Sequence, residues 1–289
     1  MHVIFRLFGR LPLLLFLLTF SAASFSKSCD SLSTPISFTP KGMPVVTLEI
    51  GGQEIDFLLD TGSSAGLHLP KSMMINLKGI TDLPEKRKSM NAAGKEFNNS
   101  VYHLKMLKLG CLEFEDLEVV ALQSWGVSVG GEKADTDDLP VIGLGLFSGR
   151  TVQISFKDKE LSIVNSDQSV SKQWSDLGVS KEGIGVAVET KNQLYTLVLD
   201  TGASNTLFVS NKVNPKESLE ACQYSLGNIP CQLLNEPMTT YGHSFTSKAL
   251  LFPIDPRFQL DGLLGADFFH QFDVRIDFDN HKILVKPVS

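Results

Sequence analysis

Two triplets in this sequence carry the residues for acid–base chemistry. Asp60-Thr61-Gly62 and Asp200-Thr201-Gly202 lie 140 positions apart, each behind an aliphatic run in "FLLDTGSS" and "LVLDTGAS". A carboxylate drawn into apolar surroundings is costly unless it is compensated. The following residues supply compensation: Thr has a hydroxyl that can bridge to backbone, and Gly allows a tight turn and close backbone approach. One such triplet is an ordinary turn signal. Two of them, brought together across a pseudo-two-fold axis, cannot both ionise easily and share one proton. At one pH, one carboxyl is then an acid and the other a base. A water between them can lose a proton to the base while a substrate carbonyl oxygen gains one from the acid.

Such a pair needs two similar scaffolds, and the chain contains an internal repeat. "VTLEIGGQEIDFLLDTGSS" (46–64) aligns without a gap with "VAVETKNQLYTLVLDTGAS" (186–204). Further on, "VIGLGLFSGRTVQISFKDKELSIV" (141–164) aligns with "LLGADFFHQFDVRIDFDNHKILV" (263–285) at an offset of 122. Within these blocks apolar residues alternate with polar ones. "VQISF" and "VRIDF" break at "KDKE" and "DNHK" and then resume, the pattern of a strand, a hairpin turn and a returning strand. No long segment has an amphipathic helical stripe. The reading is an all-β chain with a few short helices: an N-terminal lobe over 35–164, a polar linker over 165–177 and a C-terminal lobe over 178–289. Asp267, just after the second "hydrophobic-hydrophobic-Gly" element, reads as a structural carboxylate paired with a nearby base.

These motifs resemble the two-lobed aspartic peptidases of the pepsin-like kind, whose relatives include the retropepsins. The carriers are the two Asp-Thr-Gly stretches, the downstream "VIGLG" and "LLGAD", and the closing "FDVRIDFDNHKILV". The resemblance spans nearly all of the chain after its N-terminal stretch. It implies a bilobal acid-protease fold of two pseudo-symmetric, β-barrel-like lobes with the active site between them. Carried over by position, Asp60 and Asp200 are the catalytic dyad, Thr61 and Thr201 the hydroxyls locking the two loops, and Gly62 and Gly202 the turn glycines. Ser63 matches a position whose hydroxyl bonds the outer oxygen of the dyad. Lobe two has Ala203 there, and the missing bond is expected to raise the pKa of its carboxylate. The implied activity is endopeptidase cleavage by an activated water, without metal or cofactor, on a polypeptide substrate. An inactive binding or inhibitor protein on the same fold is the alternative. Two triplets in one chain imply a competent monomer. The family's flap, tipped by an aromatic residue, has two candidate counterparts: "SMNAAGKEFNNSVY" with Ala93 and Gly94, which lacks an aromatic at its tip, and the Tyr241-Gly242 turn of lobe two.

The N-terminus and the charge bound the setting. Residues 1–26 carry Arg6 and Arg10, then ten uncharged residues, "LPLLLFLLTF", then small ones, "SAASFS". This is the three-part pattern of a secretory signal peptide, too short in its apolar core for an ordinary spanning helix. The expectation is export to a periplasm or the exterior, with no stable membrane insertion after cleavage. An uncleaved N-terminal anchor is the alternative. The 289-residue chain has a net charge of −6, which disfavours a nucleic-acid partner. Four cysteines in an exported chain suggest disulfides, with Cys222–Cys231 closing a small loop and Cys29–Cys111 as the remainder. The six histidines show no zinc-ligand spacing.

Overall fold

The computed structural model describes residues 31–50, 52–90, 95–122, 139–165, 173–180, 182–214, 219–226 and 229–288. The stretch read as a signal peptide (1–26), Cys29, Ala93 and Gly94 lie outside the described residues, and so do the side chains of Cys222 and Cys231. The elements are strands almost throughout. The described helices, Lys71–Met74, Ala266–Phe269 and the 3-10 turn Leu144–Phe147, have four residues each.

Alternation in the sequence becomes a sheet face. Pro44–Ile50 and Gln53–Leu59 pair antiparallel, with Val46 opposite Phe57 and Leu48 opposite Ile55. The second strand alternates at first and then runs Phe57-Leu58-Leu59, all buried. The change marks where it enters the interior, with neighbours on both faces. Its end lies parallel to the two-residue strand Val141–Ile142, Leu59 beside Ile142. Lobe two repeats this: Leu194–Leu199 ends parallel to Gly262–Leu264, Leu199 beside Leu264.

A 13-stranded sheet crosses both lobes, and a 10-stranded sheet completes lobe two. The crossing point is the antiparallel pairing of Arg150–Ser155 with Phe272–Asp277, in which Gln153 faces Arg275. These two residues are repeat counterparts at the offset of 122, so the pseudo-two-fold axis passes between them. Aromatic contacts obey the same operator. Phe147 stacks near Phe278 at 6.3 Å, and their counterparts Phe269 and Phe156 stack at 5.3 Å. The "KDKE" and "DNHK" breaks are the expected hairpin turns, each with one left-handed residue at a matched position, Lys159 (φ 54°) and His281 (φ 51°).

Two edges of the sequence reading differ in the structure. The first described strand, Ser31–Phe38, begins ahead of residue 35 and pairs with both Glu160–Asn165 and Pro44–Ile50. Within the stretch read as linker, Ser175–Asp176 forms a two-residue strand against Ile283 and Lys282.

Candidate active site

Asp60 and Asp200 occupy the first position after the buried strand ends described above. Their backbone N–H groups donate to the carbonyls of Ile142 and Leu264, each at 2.9 Å, so the neighbouring short strands fix where each turn begins. In each turn the glycine N–H donates back to the aspartate: Gly62 to Asp60 Oδ1 at 2.8 Å, Gly202 to Asp200 Oδ1 at 2.9 Å. The threonines cross the axis. The Thr61 hydroxyl donates to the Leu199 carbonyl (2.8 Å), and the Thr201 hydroxyl donates to that of Leu59 (2.6 Å). Each hydroxyl also accepts the backbone N–H of the other threonine at 3.0 Å. Both threonines are buried, and all four hydrogen bonds join one turn to the other.

The glycines are required by proximity. A Cβ on Gly62 would stand 2.7 Å from Asp200 Cγ, and one on Gly202 would stand 2.8 Å from Asp60 Cγ. Each turn therefore leans on the opposite carboxylate. The two aspartates are within hydrogen-bonding reach of one another, deeply embedded, yet each keeps a partly accessible surface. Burial raises the proton affinity of both. Asp200 is raised well above the usual carboxylate range by burial, with the Asp60 charge and their mutual hydrogen bond adding to it. Burial raises Asp60 too, while the bond from Asp200 and the N–H groups of Gly62 and Ser63 offset part of that. Embedded this close, the pair is expected to hold one proton between them, with the stronger upward push on Asp200.

The Ser63 hydroxyl does not serve the dyad. It pairs with His68 Nε2 at 2.7 Å, and both residues are buried. Ser63 acts on Asp60 through its backbone N–H, and Ala203 acts on Asp200 in the same way. The Ser-to-Ala difference thus does not remove a side-chain bond to a carboxylate, and the high proton affinity of Asp200 has the causes given above. Burial, with the Arg87 cation adding to it, pushes the His68 imidazole down to about 4. Arg87 donates to Ser64 Oγ and is ion-paired with Glu118.

The hairpin of Ile80–Met90 with Glu96–Leu109 stands where the lobe-one flap was expected, its tip outside the described residues. Glu96, the last paired residue before the tip and opposite Met90, pairs with Arg257 of lobe two at 2.5 Å, and Arg257 also holds Asp255. Tyr241 and Gly242 form a tight turn with φ of 48° and 78°, and the Tyr241 ring is half-buried against the core. Burial pushes its hydroxyl up to about 12. Asp267 accepts from the Thr206 N–H (2.7 Å), the Thr206 hydroxyl (2.8 Å) and the Ser247 hydroxyl; these neutral donors replace the base expected for it. Cys111 is disulfide-bonded. Sequence reasoning missed His68, Arg87 and Arg257. The offset of 140 held a signal for the first, since it sets His68 opposite Phe208.

A family model described as "Aspartyl protease" matches residues 46–145. No curated protein gives a significant match. Among solved structures, the aspartic proteinase from Irpex lacteus superposes with a TM-score of 0.56 at 14% identity, covering 90% of this chain and 98% of that one. Basic 7S globulin from soybean also superposes at 0.56, with 10% identity and coverage of 90% and 95%. The bilobal fold is that of the pepsin-like aspartic proteinases, and one described neighbour with it is a globulin.

Proposed function

We propose that this chain, which has the pepsin-like fold of the aspartic peptidases, is an exported monomeric endopeptidase that cleaves polypeptides with an Asp60/Asp200-activated water. The observation that carries the reading is the dyad: two embedded carboxylates within hydrogen-bonding reach of one another, clamped across a pseudo-two-fold axis. A water between them gives a proton to Asp60 as its oxygen attacks the scissile carbonyl carbon. Asp200 gives its proton to the carbonyl oxygen, and a neutral tetrahedral diol forms. Collapse of the diol breaks the C–N bond. The proton now on Asp60 passes to the amide nitrogen, and one hydroxyl proton of the diol returns to Asp200, which restores the starting state. No cofactor is needed in this scheme, and the signal-like N-terminus supports export.

The second reading is a binding or inhibitor protein on the same fold, favoured by the likeness to the soybean globulin. Incubating the chain with denatured protein between pH 3 and 7, with and without a statine-type inhibitor, separates the two. The enzyme is expected to give inhibitor-sensitive cleavage that falls at least a thousandfold in Asp60→Asn. A protein that binds a partner tightly and cleaves nothing at any of these pH values would establish the second reading instead.

A further inference from the structure

The two lobes are alike at the dyad but differ one layer behind it. Lobe one has Ser63 and His68, hydrogen-bonded to each other at 2.7 Å and both buried. Lobe two has Ala203 and Phe208 at the same two positions, and Phe208 packs edge-on against Tyr195 at 4.9 Å. A polar pair has therefore been exchanged, as a pair, for an apolar one. Such a coupled difference fits a bond whose partners depend on each other, because either one alone leaves a buried polar group unsatisfied.

Ser63 is also tied to the Asp60 turn. Its N–H donates to the Asp60 backbone carbonyl (3.2 Å), and its own carbonyl accepts the Leu144 N–H at 2.7 Å. A Cβ on Gly143 would lie 2.8 Å from the Ser63 hydroxyl, so a glycine at 143 is what leaves that hydroxyl its place. His68 lies on the strand Leu67–Leu69, between Val141 and Val120 on the strands beside it. The charge that acts on it is Arg87 from Ile80–Met90, which is itself paired with Glu118 from Leu112–Ala121, and Asp60 lies beyond Ser63 on the adjoining turn. The strand Val141–Ile142 brings no charge.

We propose that His68 is a positioning residue for Asp60, and that its protonation sets the acid edge of activity. Neutral imidazole keeps the Ser63 hydroxyl and the turn beyond it in one arrangement. An imidazolium can only donate through Nε2. It forces the Ser63 proton away to another acceptor and leaves a cation buried beside the Arg87 cation. The turn that carries Asp60 then has to rearrange. Activity is lost as His68 gains its proton.

The kinetic arm rests on the hydrolytic reading; a second arm does not. In the full chain, the titration of His68 is followed by NMR of labelled histidine and assigned by its absence in His68→Gln. The midpoint is expected to coincide with the acid limb of kcat. It is expected to fall further in Asp60→Asn, since linkage makes the coupling reciprocal. His68→Phe alone strands the Ser63 hydroxyl and is expected to lower kcat about tenfold at the plateau, the scale of one lost buried hydrogen bond. Adding Ser63→Ala recreates the lobe-two pair and is expected to restore most of that loss. In the double variant and in His68→Gln, the acid limb is expected to move down by about one pH unit. An acid limb that stays in place in both variants overturns the proposal. If the chain hydrolyses nothing, a His68 midpoint indifferent to Asp60→Asn overturns it, and a shifted midpoint upholds the coupling although the hydrolytic reading has failed.

Discussion

At the scale of single residues, the glycines of the two turns make the sharpest demand. Gly62 has no special backbone angle to defend; what it defends is space. A methyl group there would press on Asp200 Cγ at 2.7 Å, inside any real contact distance, and the carboxylate cannot retreat without leaving Asp60. Gly62→Ala is therefore expected to keep the fold, by circular dichroism, and to lose about a hundredfold or more in kcat, as a displacement on the ångström scale does at a reacting centre. A quenched-fluorescence peptide assay reads the loss, and near-normal turnover would refute the steric argument. The dyad was legible in the sequence because the same triplet recurs within a recurring frame. His68 was not, because "GLHLP" reads as any strand segment and its partner is five residues back across a turn. Ser63 was placed on the right loop but given the wrong partner, since no local pattern tells whether a hydroxyl points to a carboxylate or to an imidazole.

At the scale of elements, two strand ends and two short parallel neighbours make the site, and the threonines couple them. Each Thr hydroxyl donates to one opposite carbonyl and accepts one opposite N–H, so a single Thr→Val change removes two bonds and leaves buried backbone groups unpaired. Thr61→Val and Thr201→Val are each expected to cost about 1–3 kcal/mol of stability. The double variant should cost clearly less than the sum, because both residues belong to one network. Urea denaturation of the four proteins measures this, and strict additivity would show that the bonds act independently. The hairpins were legible in the sequence from period-two alternation over six or more residues. Val141–Ile142 and Ser175–Asp176 were too short to show any period. Their places are dictated by distant partners, Leu59 and Ile283. The same long-range pairing makes Ser175–Asp176 part of the sheet although its polar surroundings read as linker.

At the scale of the whole molecule, the coupled dyad, with Asp200 raised the more strongly, and His68 tilt stability in opposite directions with pH. The proton affinity of Asp200 is raised in the folded state, so its contribution is fully present below the ordinary value of 3.8 and is lost as pH rises through the raised folded pKa. His68 is the reverse. Its folded pKa of about 4 lies below the ordinary 6.5, so its contribution is full above 6.5 and is lost as pH falls toward 4. A shift of that size corresponds to a cost on the order of 3 kcal/mol once His68 is protonated in the folded chain. Asp176, exposed and held low by Lys282, and Asp255, at the surface and held low by Arg257, are screened by solvent and add little to this balance. The chain is thus expected to be most stable at mildly acidic pH, with one shoulder for each group. Asp200→Asn should raise the melting temperature at pH 7 and flatten the alkaline shoulder while leaving the acid one. The Ser63→Ala/His68→Phe double variant should flatten only the acid shoulder. Melting curves from pH 3 to 8 on the three proteins test both effects; a shoulder that persists after its group is removed would assign that pH dependence elsewhere in the molecule.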